Sequence, residues 1–393
     1  MRVLCCPIGS RGFVYPMIGL ARNLKERGHQ VAFATSAAFE GVIAEAGFER
    51  LPRGNADGAS FQLANWAHPV AVSIQVRHVQ YGVERFHPDV LLCSTLALGP
   101  LIGGELAGLQ VAVLGLAPYL WPVPVPGGTT RSEDRDAEWR HRETLALYNS
   151  ARALFGLSAL PGSLDDSPLL GALYLLQSVP DLEPLTDHLP ERVRFVGSCL
   201  YEPETADGEV LDWLECGGEG RRLLYAQHGS VFRTGQTFWS GLVAACDELG
   251  TRVAAAMERN RSAPPAFRDA NWLVRGYVPQ QVVLAQADGV VCSGNTTAML
   301  GAITHGLPAV MFPTGGEQHA LAARCLEAGA ALALSPSSPV GEVRAAMERI
   351  LDSGEQRQAA RRLQAAFAAY DGPQLVATAL EELAVAAVVS GVA

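Results

Sequence analysis

The sequence predicts an α/β protein of two similar halves, each a parallel sheet covered on both faces. Three observations predict this. Short apolar runs alternate with amphipathic helical stretches along the chain. Runs such as Val90–Ser94 and Val111–Leu116 are apolar at successive positions, as strands buried on both faces require. The polar stretch Tyr201–Glu209, containing Pro203 and Gly208, interrupts the series near residue 205 and reads as a linker. A chain of 393 residues also suits two domains at roughly 100–200 residues each.

The elements follow in order. Arg2–Ile8 is a short apolar strand bounded by Gly9. Tyr15–Glu26 places Met17, Ile18, Leu20, Ala21 and Leu24 at helical spacing, with Gly28 as a C-cap. Val31–Thr35 is the next strand, Phe39–Ala46 a helix, and Glu49–Pro52 is extended. Pro118 to about Glu143 reads as a long loop with a charged segment. Tyr174–Ser178 and Val193–Val196 close the first half. In the second half Leu223–Gln227, Val253–Ala256, Trp272–Val274, Gly289–Cys292, Ala309–Phe312 and Ala331–Leu334 are strand-like. Phe238–Leu249, Ala298–His305 and Gln318–Ala328 are helical, as are the tail segments Val340–Asp352, Glu355–Tyr370 and Gln374–Val388.

Composition excludes several functions. The net charge is −10 and there is no basic tail, which argues against nonspecific nucleic-acid binding. Lys25 is the only lysine, and it sits in the solvated end of a helix. That removes P-loop, Schiff-base and pyridoxal chemistry, each of which needs a lysine in its site. None of the eight cysteines forms a CxxC pair, and several lie in apolar runs, so a reduced cytoplasmic protein is expected. Pro7, Gly9 and Arg11 interrupt the N-terminal apolar run too early for a signal peptide. The uncharged run Val90–Gly104 is broken by Pro100 and Gly103 and is shorter than the roughly 20 residues of a membrane span.

In open α/β sheets ligands bind beyond the carboxyl ends of the strands, and four strand ends carry suggestive residues. Gly9-Ser10-Arg11-Gly12-Phe13 is a ligand-facing loop or a plain βα turn, with Pro16 suited to a first helical turn. Gln227-His228-Gly229-Ser230 offers backbone N–H groups and a hydroxyl to a phosphate. Ser293-Gly294-Asn295-Thr296-Thr297 opens a helix, either as an anion site or as ordinary capping. Pro313–His319 holds Glu317 and Gln318, able to bond several hydroxyls, or a capped helix start. The last three converge on one half and suit a diphosphate bearing a polar, uncharged group, which describes a nucleotide sugar.

In this order the motifs resemble the family-1 glycosyltransferases of GT-B fold, particularly the bacterial enzymes that decorate glycopeptides, macrolides and enediynes. Gly9–Gly12, Tyr15-Pro16, Leu20-Ala21 and Arg27–Val31 look like the N-terminal signature of that family. Tyr277-Val278-Pro279-Gln280 looks like its nucleotide-base loop. Ser293 through Ile303, His305–Pro308 and Pro313–Gln318 are similar to its donor signature. The resemblance implies two Rossmann-like domains facing a cleft: an acceptor domain 1–204, a linker 205–220, a nucleotide-sugar domain 221–372, and a helix 373–393 crossing back to the first domain. It implies that Tyr277, Val278 and Gln280 line the base, that Ser230, Ser293, Gly294 and Thr297 surround the diphosphate, and that Glu317 and Gln318 hold sugar hydroxyls. Phe13, Trp66, Tyr119, Leu120 and Trp121 would be apolar acceptor walls. The implied reaction inverts the anomeric centre without a metal or cofactor; its cosubstrate is a dTDP- or UDP-linked sugar and its partner a small natural-product acceptor.

Three positions depart from the family pattern. Phe13 stands where a histidine or aspartate serves as general base, Ser94 stands where its acidic partner falls, and Ser293-Gly294-Asn295 replaces His-Gly-Gly. General-base help contributes about 10²–10⁴-fold, and the imidazole lost at the diphosphate supports the leaving group. One reading is an active enzyme whose acceptor is already a good nucleophile. A second is a substitute base, with His68, His78 or Glu133 as candidates and His228 partly replacing the donor-site imidazole. A third is a noncatalytic relative acting as a binding protein. A nucleotide-sugar epimerase of the same architecture is a further alternative, but no acidic catalytic residue stands at a recognisable position.

Overall fold

The structure is a computed structural model describing residues 1–123, 132–162, 166–183, 186–203, 208–216, 220–228, 235–257, 270–352 and 354–389. The chain forms two compact units, Met1–Pro180 with Leu185–Pro203 and Tyr370–Ala393, and Asp181–Pro184 with Glu204–Ala369.

The first unit runs β1 (Arg2–Cys6), α1 (Arg11–Glu26), β2 (Gln30–Phe33), α2 (Glu40–Glu45), β3 (Glu49–Arg50), α3 (Pro69–Phe86), β4 (Val90–Ser94), α4 (Gly99–Ala107), β5 (Val111–Leu114), α5 (Ser132–Ala153), β6 (Leu173–Leu176) and β7 (Val193–Phe195). Its seven strands pair in the order β3-β2-β1-β4-β5-β6-β7, and every described pairing is parallel. Successive side chains of a strand point to opposite faces. Leu4, Cys6, Leu91 and Cys93 therefore enter one core, while Val3, Cys5, Val90 and Leu92 enter the core on the other face. Two cores explain why these strands are apolar throughout.

The second unit runs α6 (Gly208–Glu215), β8 (Leu223–Gln227), α7 (Gly235–Leu249), β9 (Arg252–Ala256), β10 (Trp272–Arg275), α8 (Gln280–Leu284), β11 (Gly289–Cys292), α9 (Thr296–Thr304), β12 (Ala309–Met311), α10 (Gln318–Glu327), β13 (Ala331–Ala333), α11 (Val340–Asp352) and α12 (Gly354–Ala368). Its sheet order is β10-β9-β8-β11-β12-β13, again parallel.

The last helix, α13 (Gly372–Val389), belongs to the first unit and packs on α1. Glu381 fastens it: its carboxylate accepts from Arg27 Nε at 3.0 Å and Nη2 at 2.5 Å, and lies 2.7 Å from His29 Nε2. These bonds, Arg27 foremost, hold the Glu381 carboxyl below its ordinary value. The Arg27–Val31 motif thus has a docking task.

Several sequence expectations change. The first helix begins at Arg11, so Pro16 lies inside it. Much of the charged segment expected as loop belongs to α5. His141, Thr144, Tyr148 and Ala151 are buried at helical spacing, and the polar members of that set hide the periodicity. Gly208–Glu215 is helical within the expected linker. All eight cysteines are free; Cys216 is exposed, and burial pushes up the thiols of the buried ones, to about 12 at Cys199, Cys246 and Cys292. Among the described residues no helix is long and apolar enough to cross a membrane.

Candidate functional sites at two topological switch points

Each sheet reverses its strand order once, between β1 and β4 in the first unit and between β8 and β11 in the second. At such a point adjacent loops leave the sheet in opposite directions and open a crevice at the carboxyl ends. The loop that leads into α1 and Phe13, and the turn that leads from Ser293 into α9, both lie there.

In the first unit Cys6 pairs with Cys93, which sets Ile8 beside Ser94. Ser94 is buried, and its hydroxyl accepts the Ile8 amide at 3.0 Å. The position expected for the partner of a catalytic base therefore holds the loop in place. Gly9 follows, its amide bonded to the Phe61 carbonyl at 2.7 Å. A Cβ on Gly9 would lie 2.6 Å from Ser36 Cβ and 2.9 Å from Phe61 O, so the close approach requires glycine. Phe13 sits in the first turn of α1, half-buried against a core cluster that also receives Trp66 and contains Tyr119, Leu120 and Trp121. The five acceptor-wall residues thus meet on one apolar cluster. Tyr119, Leu120 and Trp121 are buried within it, while Phe13 and Trp66 lie at its partly exposed edge.

The substitute bases fare differently. His68 is the exposed N-cap of α3, its Nδ1 accepting the Val70 amide at 3.2 Å. His78 is fully buried. Its Nε2 lies 2.7 Å from the Leu51 carbonyl, and its Nδ1 lies 2.9 Å from Ser60 Oγ. A carbonyl only accepts, so Nε2 carries the proton and Nδ1 accepts from Ser60. Burial holds the His78 pKa below its ordinary value and keeps the ring neutral. Neither ring nitrogen of His78 is free to take a proton from a ligand. The side chain of Glu133 lies outside the described residues, as does Ser230.

In the second unit Cys292 pairs with Gln227, and the Ser293 amide reaches the Gln227 carbonyl at 3.3 Å. Gly294 adopts φ +83°, a left-handed conformation that favours glycine, and its amide lies 3.3 Å from the Cys292 thiol. Helix α9 then begins. Asn295 at its N-cap makes no side-chain bond to the first-turn amides. Those N–H groups and the helix dipole favour an anion, and the residues above them are small. Gln318 lies against this turn, since a Cβ on Gly294 would stand 3.3 Å from Gln318 O and 3.6 Å from Gln318 Cβ.

Gln318 is buried, and its Oε1 accepts from both Thr314 N and Thr314 Oγ1 at 2.9 Å. A backbone N–H donates, which fixes the amide orientation and leaves Nε2 as the end available to a ligand. Thr314 was not singled out by the sequence; its spacing of four residues from Gln318 was the available signal. Glu317 is the partly buried N-cap of α10. Gln280 is buried, and its amide donates to Thr297 O at 3.1 Å, so it braces the first turn of α9. Val278 is buried and Tyr277 half-buried in the loop before α8, while Ser293 is buried and Thr297 partly exposed. His228 is buried with its ring 4.8 Å from that of Phe238.

Comparison with known proteins follows the same division. Residues 3–113 match the glycosyltransferase family 28 N-terminal domain, and residues 243–383 match the erythromycin biosynthesis protein CIII-like C-terminal domain. The 4'-demethylrebeccamycin synthase of Lentzea aerocolonigenes is 24% identical over 408 residues, covering 94% of this chain and 96% of that protein. The crystal structure of the glycotransferase of kitacinnamycin is similar with a TM-score of 0.76 at 21% identity, over 97% of this chain and 98% of that one. A spinosyn rhamnosyltransferase complexed with thymidine diphosphate gives a TM-score of 0.71 at 22% identity, over 97% and 100%.

Proposed function

The chain belongs to the family-1, GT-B-fold natural-product glycosyltransferases, and on that premise we propose that it moves a sugar from a dTDP- or UDP-linked donor to an acceptor that is already a good nucleophile, an amine or an acidic hydroxyl. The observation that carries the donor half is the first turn of α9, which the Asn295 side chain does not cap, set beside Gly294 and Gln318. The diphosphate is assigned to Ser293, Gly294, Thr297 and the α9 amides. The base is assigned to Tyr277 and Val278, with Gln280 as a brace, and sugar hydroxyls to Glu317 and the Gln318 amide nitrogen. Ser230 is assigned to the diphosphate from its motif alone. Similarity to a structure holding thymidine diphosphate supports the nucleotide class.

The proposed step is a direct displacement. The acceptor lone pair forms a bond to the anomeric carbon, the bond from that carbon to the diphosphate oxygen breaks, and its electron pair leaves with the nucleoside diphosphate. Charge developing on that oxygen is met by the α9 amides and dipole, so the step needs no metal. The proton lost by an amine goes to solvent after attack, and an acidic hydroxyl reacts already ionised. Phe13 can take no proton, which is why the acceptor must supply its own nucleophilicity.

The test uses paired acceptors differing only in amine or alcohol at the reacting atom. Transfer to the amine should exceed transfer to the alcohol by about 10²-fold or more. Equal rates would contradict the reading. The same Phe13 and Ser94 arrangement favours one second reading, a noncatalytic relative that holds ligand; donor binding without transfer to any acceptor would select it.

A further inference from the structure

A buried polar chain ties α3 to the loop at the first switch point. His78 on α3 donates through Nε2 to Leu51 O at 2.7 Å and accepts through Nδ1 from Ser60 Oγ at 2.9 Å. Ser60 is buried, and so is Phe61, whose ring packs edge-on against His78 with centroids 5.6 Å apart. Phe61 holds φ +55°, and its carbonyl accepts the Gly9 amide at 2.7 Å. Gln62 then forms an isolated parallel bridge with Gly9. Four residues beyond Gln62, Trp66 packs on the cluster that receives Phe13.

We infer that His78 is a positioning residue for the acceptor site. As a neutral ring it fixes the Ser60–Trp66 segment and, through Phe61 O, the Gly9 amide of the loop that leads into α1 and Phe13. The geometry supports this over a generic packing role, because both ring nitrogens bond to the two ends of the segment that leads to the site, Leu51 and Ser60. An apolar side chain of equal volume would fill the core without setting the φ of Phe61 or the place of its carbonyl. The inference rests on the reading that the first unit binds the acceptor.

The test compares wild type with Ser60→Ala, His78→Gln and His78→Asn in the full chain. One hydrogen bond in such a chain corresponds to about 3- to 10-fold in an equilibrium. Ser60→Ala and His78→Gln should raise the acceptor KM by that factor, leaving kcat and donor KM near wild type. Amide exchange at Gly9 should accelerate in both. His78→Asn keeps an acceptor near the Nδ1 position for Ser60 but loses the donor to Leu51, so it should recover part of the loss. Faster Gly9 exchange with unchanged acceptor KM overturns the inference. Equal losses in acceptor KM, donor KM and kcat also overturn it, since a general folding defect explains them. Failure of the wild type to transfer to any acceptor defeats the functional reading instead, and unchanged Gly9 exchange then still overturns the link to His78.

Discussion

The loop after β1 and the loop after β11 each flank the switch point of their own sheet, yet they use their polar groups differently. After β1 the Ser94 hydroxyl is bonded to Ile8 and the Gly9 amide to Phe61, while Phe13 and Trp66 edge an apolar cluster. After β11 Gly294 turns left-handed, no Asn295 side-chain bond caps α9, and a buried glutamine is oriented by Thr314 with its amide nitrogen left over. One α/β plan thus yields an apolar ligand surface or an anion-binding turn, depending on which polar groups the strand-end loops consume internally.

The largest test of this contrast is Phe13→His, which restores a proton acceptor on the apolar side. Transfer to alcohols should rise by about 10²-fold, measured as initial rates, with amine acceptors little changed. If wild type already glycosylates ordinary alcohols well, the missing-base account fails. Next come the two glycines. Gly9→Ala meets Ser36 and Phe61 and should cost about 1–3 kcal/mol in denaturant unfolding while sparing nucleotide affinity. Gly294→Ala should cost about 1–2 kcal/mol from its positive φ and should weaken nucleotide binding. If Gly294→Ala left calorimetric nucleotide affinity unchanged, the anion site would be misplaced.

Acid should reveal the buried histidines. Burial lowers the His78 and His141 pKa values in the folded chain from an ordinary 6.5. Their contribution is therefore complete above that value and is lost as pH falls below it, because the unfolded chain takes up protons first. Urea midpoints should decline between neutral pH and pH values below 6.5, and a flat profile would show that these rings are not held neutral. The smallest effect is expected at Glu381. Its lowered pKa means that its contribution is present above the ordinary 4.5 and is lost as pH falls through the folded value. The pair is partly buried but still reached by solvent, so Glu381→Gln should cost about 1 kcal/mol, read from the thermal midpoint.

The parallel sheets and the two halves were legible because doubly covered parallel strands leave continuous apolar runs, as at Val90–Ser94. The α5 helix was less legible, since His141 and Thr144 face its core and break the apolar period. At the sites, residue type was readable but its use was not. Ser94, Gln280 and His78 all carry groups suited to ligand chemistry, yet bonds to Ile8, Thr297, Leu51 and Ser60 occupy them. Those partners lie up to 86 residues away in sequence, and no local pattern announces them.

Titration calorimetry of the wild-type chain with dTDP and with UDP tests the central assignment most directly, followed by Gln318→Glu with the same nucleotides and an intact nucleotide sugar. The substitution keeps acceptors for Thr314 and removes the amide nitrogen. Binding of a free diphosphate should persist in both proteins, and the intact nucleotide sugar should bind the variant about tenfold more weakly. No binding of either nucleotide at millimolar concentration would contradict the donor site built on α9, and equal weakening of nucleotide and nucleotide sugar would contradict the role given to Gln318.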